Sequence, residues 1–268
     1  MPYINDWETI KKKIENYDWA EKIYQTTKEK TDWFVENYHD DPDWVNGWGH
    51  NYVCDKCGES LTFNRESPRD QVCKVCGHHN TGDKQNNVWN SMYRNQANGS
   101  VHNAAILYKL TGDAKYLEHI KKVLQFYLEN YERLKCWSPH PKFLGRISGI
   151  HLTDAGDLIS LLTGMTIVRD ELDETFIREL GEKFFIPAAK YLKPFVYYIN
   201  NIPVWEACAV AMVALFYGLD DLLEWAFKSE YGLINQLEQG ITKEKFWYEG
   251  SVHYHFYCIA PLPICIIT

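Results

Sequence analysis

The sequence has no excess of positive charge. Against 36 Asp and Glu stand 28 Lys and Arg, a net of -8. A chain that grips nucleic acid along its backbone needs a basic face, so that class is disfavoured. Nor is there an apolar run of membrane length. The most apolar stretch, residues 202–219, contains Pro203 and Glu206 and is interrupted by Gly218. A helix over 203–217 would span roughly 22 Å, short of the ~30 Å hydrocarbon core, so a buried helix is expected there. The N-terminal residues MPYINDWETIKKKIENYDW are polar and hold no apolar h-region, which gives the expectation of a cytoplasmic chain. No alternation of apolar and polar residues announces a strand, and no clear internal repeat marks a solenoid.

What is present is globular in composition: 46% of the 268 residues are apolar and 24% charged. Aromatic residues are abundant, with 10 Trp, 18 Tyr and 12 Phe. Large rings fill cores, and rings with polar handles also suit the faces of sugars. Ile10, Ile14, Trp19, Ile23 and Phe34 recur at helical spacing, which predicts helix over 5–38 with one break. Further helices are predicted over 87–110 and 114–133. Between them, Gly112 suits the left-handed residue after a helix and Asp113 an N-cap. Residues 136–150 are irregular. Thr153 is expected to cap 154–168, and Asp173 a helix to about 192. Asn201, followed by Pro203, opens the apolar helix, and shorter helices fit 220–227 and 230–239. Short connections between successive helices imply antiparallel pairs. The expected class is therefore all-α: an (α/α) toroid or incomplete barrel of helical hairpins over 1–268. The last residues, FYCIAPLPICIIT, are apolar, which suggests a truncated chain.

Residues 51–82 interrupt the helical pattern as a small insertion. Cys54-x2-Cys57 and Cys73-x2-Cys76 are separated by 15 residues, and each pair is followed by glycine. This is zinc-ribbon spacing. Each Cys-x-x-Cys turn aims two thiolates at one point, and two such turns complete a tetrahedron. Four thiolates leave no open position, so the expected zinc is structural. His78 and His79 are alternative ligands, and two disulfides are the alternative chemistry. Cys136, Cys208, Cys258 and Cys265 read as small buried apolar residues.

Two segments carry chemistry: Asn200-Asn201-Ile202-Pro203-Val204-Trp205, and Trp247 through Tyr257. The second packs Glu249, Ser251, His253, His255 and three tyrosines closely together. The bland alternative is a polar helix start capped by Ser251. The pattern Glu249-Gly250-Ser251-x-x-Tyr254-His255-x-Tyr257, preceded by Trp247, resembles the signature of the heparinase II/III-like polysaccharide lyases. These include heparan sulfate and oligoalginate lyases. The upstream Asn-x-x-x-Trp helix start and the cysteine insertion also match, over most of residues 40–257.

The resemblance implies a toroid followed by a β-sandwich domain, which residues 1–268 would lack. It implies β-elimination at a uronic acid in an anionic oligo- or polysaccharide. The proton next to a carboxylate is weakly acidic, so the carboxylate must be neutralised and the enolate-like intermediate stabilised. Asn201 can donate to that carboxylate. Tyr254 can take the C5 proton and return one to the leaving O4; as a tyrosine, ordinarily near pKa 10, it needs a nearby cation or His. His255 and Tyr257 are expected as supporting groups, and Glu249 as a residue that holds the loop at the substrate. Many members carry His directly after the neutralising Asn, where Ile202 stands here. That departure points away from the alginate-lyase-like subtype and toward heparan sulfate or heparin.

Arg146 can meet a substrate carboxylate or sulfate through its planar fork. Trp89 and Arg94, with Asn90, Tyr93 and His102, lie on a helix that can line the cleft; core packing accounts for Trp89 and Tyr93 equally well. Trp205 is a further candidate substrate contact. The competing functions are a carbohydrate-binding toroid without turnover and an (α/α)-barrel glycoside hydrolase. The hydrolase needs two carboxylates roughly 5 to 9.5 Å apart, for which Glu206, Glu249 and Asp154 are candidates.

Overall fold

The computed structural model describes residues 6–262. Helix α1 (Trp7–Asn16) and helix α2 (Asp18–Asn37) share the first helical segment, broken at Tyr17, whose backbone is extended. Strand β1 (Val45–Gly47) follows, then the cysteine ribbon with β2 (Gln71–Val72) and β3 (His79–Asn80). Helices α3 (Asp83–Thr111) and α4 (Ala114–Asn130) form the expected hairpin. Gly112 takes φ of 71°, and the Asp113 carboxylate accepts from the Lys115 N–H. Beyond β4 (Lys135–Trp137) come α5 (His151–Ile167), α6 (Glu174–Leu180), α7 (Ile186–Leu192), α8 (Asn201–Tyr217), α9 (Asp220–Lys228), α10 (Leu233–Gly240) and α11 (Val252–Ile259).

Burial sorts these helices. Both α5 and α8 bury 12 of their 17 residues, so neither has a polar face to give to water. They form the centre, where α5 packs between α3 and α8, and α8 against α7 and α9. By contrast α4 buries one stripe, Tyr116, His119, Ile120, Val123, Leu124 and Tyr127, against α3. The helices α3 and α5 run in the same direction. Asn95 meets Asp157, and further along both helices Gly164 packs on the backbone of Val101. The all-α class is as expected.

Several expectations shift. The helix expected from Asp154 begins at His151, so Thr153 sits inside the first turn and its Oγ1 accepts from the Ile150 N–H. The segment after Asp173 is not one helix. A π turn at Gly181–Phe185 separates α6 from α7, just before Pro187, which lacks an N–H to continue the ladder. The last short helix starts at Leu233, not 230. A parallel pair joins β1 to β4, with Val45 opposite Lys135 and Gly47 opposite Trp137. Strands of three residues leave no alternating pattern to read. They are held from outside: Gly47 donates to the Ser91 Oγ (2.8 Å), and that hydroxyl donates to the Gly47 carbonyl (2.7 Å).

Candidate active site and cysteine cluster

The start of α8 is the anchor of the first site. Asn200, not Asn201, is the N-cap: its Oδ1 accepts from the Ile202 N–H (3.2 Å). The Asn200 N–H in turn donates to Gln236 (3.1 Å), whose amide nitrogen holds the Tyr198 and Tyr231 carbonyls. Relieved of capping, the Asn201 side chain turns to Glu249. Its Nδ2 lies 3.0 Å from each carboxylate oxygen, and its backbone N–H also donates there (3.0 Å). One N–H aimed between the two oxygens serves both, and the second amide hydrogen is not used by Glu249. Trp247 Nε1 completes the set at 2.6 Å from Glu249. Glu249 is thus a holding residue: three donor groups occupy its carboxylate.

The α11 side is fixed separately. Ser251 caps α11 through the Tyr254 N–H (3.4 Å). Trp205 on α8 donates from Nε1 to the Tyr257 carbonyl (3.1 Å), and their rings pack at 5.0 Å. Trp205 is therefore a pin between helices rather than a free sugar platform. Tyr257 is half-buried, and burial raises its hydroxyl above the usual range. Tyr254 stands one turn away with its ring 6.4 Å from that of Tyr257. It is 40% exposed, and its hydroxyl has no hydrogen-bond partner among the described residues. His255 accepts the Trp247 N–H at Nδ1 (3.2 Å) and stacks on Phe246 at 4.3 Å. An accepting Nδ1 leaves Nε2 as the ring's donor nitrogen.

The remaining candidates separate cleanly. Arg94 is fully buried and spent within the fold. Its Nε and Nη2 grip Asp40 (2.9 and 2.6 Å), and its other donors reach the Ile147 and Asp41 carbonyls. It cannot reach a substrate, which corrects the expectation. Trp89 is 2% exposed, donates to the Asn64 carbonyl (2.7 Å) and stacks on Tyr93, so it too belongs to the core. Arg146 is half-buried, and its guanidinium lies over the rings of Tyr131 (5.8 Å) and Tyr191 (5.4 Å). No carboxylate pairs with it among the described residues.

The three candidate carboxylates for a hydrolase are all engaged within the fold. Glu249 is occupied as above. Glu206 is buried against His151, a pair that sequence spacing did not show, and burial raises its pKa. Asp154 is 3% exposed and accepts three backbone N–H groups. None of these three is left free to form a pair across a glycosidic bond.

The second site is the cysteine cluster. The sulfurs of Cys54, Cys57, Cys73 and Cys76 all lie within 4.8 Å of one another, with Cys54–Cys76 and Cys57–Cys73 each at 3.6 Å. All four are free thiols, which removes the disulfide alternative. Four sulfurs at ~2.3 Å from one ion stand about 3.8 Å apart, so the set is shaped to hold a tetrahedral metal. Each knuckle is closed alike: Gly58 donates to the Cys54 carbonyl and Gly77 to the Cys73 carbonyl, both at 2.9 Å. Burial raises the Cys54 thiol, but the Cys57 and Lys56 N–H groups together with the Cys76 and Cys57 thiols bring it down to about 6. At Cys57, against the pull of the Glu59 N–H, burial and the Cys76, Cys73 and Cys54 thiols push the thiol up to about 12. His79 is engaged elsewhere, with Nδ1 on the Asp70 carboxylate (2.8 Å). Cys208 and Cys258 are buried as expected, Cys136 is partly buried, and Cys265 lies outside the described residues.

No helix among the described residues is long and apolar enough to cross a membrane. A family model described as alginate lyase matches residues 20–266. The chain is 28% identical over 170 residues to an alginate lyase of Stenotrophomonas maltophilia strain K279a, covering 59% of this chain and 22% of that protein. It is 29% identical over 175 residues to an exo-oligoalginate lyase of Saccharophagus degradans strain 2-40, covering 60% of this chain and 23% of that one. The match thus spans under a quarter of the length of these curated relatives. Both are named for alginate, and neither supports the heparan sulfate preference drawn from Ile202.

Proposed function

The chain belongs to the alginate lyase family, and from that premise we propose that it cleaves an alginate-type oligo- or polyuronate by β-elimination within a toroid domain. The observation that carries the reading is the contact of Asn201 with Glu249. It joins residues 48 positions apart and brings the start of α8 to the segment that bears Tyr254. In this reading the second N–H of Asn201 binds the uronate carboxylate and draws off charge as the C5 proton leaves. Tyr254 takes that proton as base and then protonates O4 of the departing sugar. One group serves both steps because the two atoms lie on the same substrate. His255 and Glu249 hold the surrounding turn in place. We assign the cysteine cluster to a structural zinc, since four thiolates complete its coordination and leave no site for substrate.

The test is an ultraviolet assay for the conjugated double bond of an unsaturated uronate. The substrates are oligoalginate, heparan sulfate, hyaluronan and chondroitin sulfate, with Tyr254→Phe alongside. The expected result is a signal on oligoalginate that falls about 10²- to 10⁴-fold in the variant. A signal on heparan sulfate alone would move the substrate class. Silence on all four from the folded chain would leave a carbohydrate-binding toroid.

A further inference from the structure

We infer that Asp154 is a positioning residue: from inside the fold it holds the 146–148 loop so that Arg146 stands unpaired, ready for a substrate carboxylate. This rests on the uronate-lyase reading above and deepens it. Asp154 lies in the first turn of α5. Its Oδ2 accepts from the Arg146 N–H (2.5 Å), and its Oδ1 from those of Ile147 (3.1 Å) and Ser148 (2.9 Å). Three successive N–H groups converging on one buried carboxylate fix the course of the chain. Gly145 is part of the device. A Cβ there would lie 2.5 Å from Asp154 Oδ1, so the carboxylate occupies the space of a side chain.

The rest of the loop is tied as firmly. Tyr191 donates its hydroxyl to the Leu144 carbonyl (2.9 Å), Arg94 donates to Ile147 (3.2 Å), and Ser148 donates to Asp157. The Arg146 side chain leaves this net, with its guanidinium over the rings of Tyr131 and Tyr191. A guanidinium against aromatic faces is weakly hydrated and keeps its planar fork open for a carboxylate. The loop also faces the right end of the fold. Phe143 packs on His151, and His151 bonds to Glu206 on α8, the helix that begins with Asn201.

The arrangement has a titration signature. Burial pushes Asp154 up to about 6, against the pull of its three N–H donors. The groups that face it are Arg146, His151 and Asp157, with Tyr131, Tyr191 and Cys136 from neighbouring segments. Protonation as pH falls through about 6 weakens Asp154 as an acceptor and loosens the turn at Arg146. KM for a uronate therefore rises on that side.

The experiment compares kcat and KM on an alginate trisaccharide for wild type, Asp154→Asn, Arg146→Ala and the double variant. Asp154→Asn is expected to raise KM roughly tenfold with kcat nearly unchanged. In the Arg146→Ala background it should add nothing, whereas a merely structural role would multiply. The pH profile keeps the test open if Asp154→Asn fails to fold: the acid-side rise in wild-type KM should be absent in Arg146→Ala. Multiplying effects, or an acid limb that survives in Arg146→Ala, would overturn the inference. A wild type that makes no unsaturated product would count against the lyase reading instead. Calorimetric titration with the trisaccharide then carries the same comparison, and absence of binding would overturn both.

Discussion

The cysteine ribbon and the α8–α11 corner are each organised by a few polar groups, but they are assembled in opposite ways. The four thiols come from a span of 23 residues, and each knuckle closes on itself through the Gly58 and Gly77 hydrogen bonds. The corner has local caps at Asn200 and Ser251, but its two halves are joined by long-range bonds. Asn201 meets Glu249 across 48 positions, Trp205 meets Tyr257 across 52, and Asn200 meets Gln236 across 36. A metal site can be encoded in a spacing because the ligands and the turn are the same residues. A cleft must be encoded in the packing of helices that are far apart in the chain. Damage to the ribbon should therefore appear as lost metal and stability, and damage to the corner as lost turnover.

The largest expected effect is on the ribbon side. On the structural-zinc proposal, Cys73→Ser should reduce bound zinc from one per chain to near none by metal analysis, since structural zinc contributes on the order of 10 kcal/mol to small zinc folds. If the two regions are independent, kcat per folded chain changes little; a large fall in kcat would erase the distinction. Next is Arg94→Ala, which strands the Asp40 carboxylate in the interior. Breaking a buried pair costs about 3–5 kcal/mol, so the melting temperature should drop on the order of 10 °C. A protein that melts unchanged but loses substrate affinity would return Arg94 to the cleft. Smaller still is Glu249→Gln. It removes charge from bonds to Asn201 and Trp247 worth about 1–3 kcal/mol in stability. Calorimetry should find a modest loss there, with a fall in turnover because Asn201 is held less firmly.

Much of this was legible from residues alone. The hairpin at Gly112-Asp113, the buried helix after Pro203 and the cysteine cluster follow from local rules. The pairing of the two chemistry-bearing segments came from a resemblance, not from spacing. What stayed hidden is long-range. Nothing near Arg94 in the sequence announces Asp40, and a cationic residue on a helix reads the same whether it faces a core partner or a sugar. Trp89 was equally ambiguous, because aromatic rings serve cores and clefts alike. Asn200 and Asn201 both suit a cap, and only the reach of Gln236 and Glu249 decides between them. The role of Asp154 depends on three backbone bonds that no side-chain pattern reveals.

The central claim is that the Asn201 amide and the Tyr254 hydroxyl act on one substrate as one site. The most direct measurement is the elimination rate on oligoalginate for wild type, Asn201→Ala, Tyr254→Phe and the double variant. Groups that serve a single step are strongly non-additive, so the double variant should be about as slow as the slower single one. A double variant whose loss is the product of the two single losses, or a Tyr254→Phe chain at wild-type rate, would contradict it.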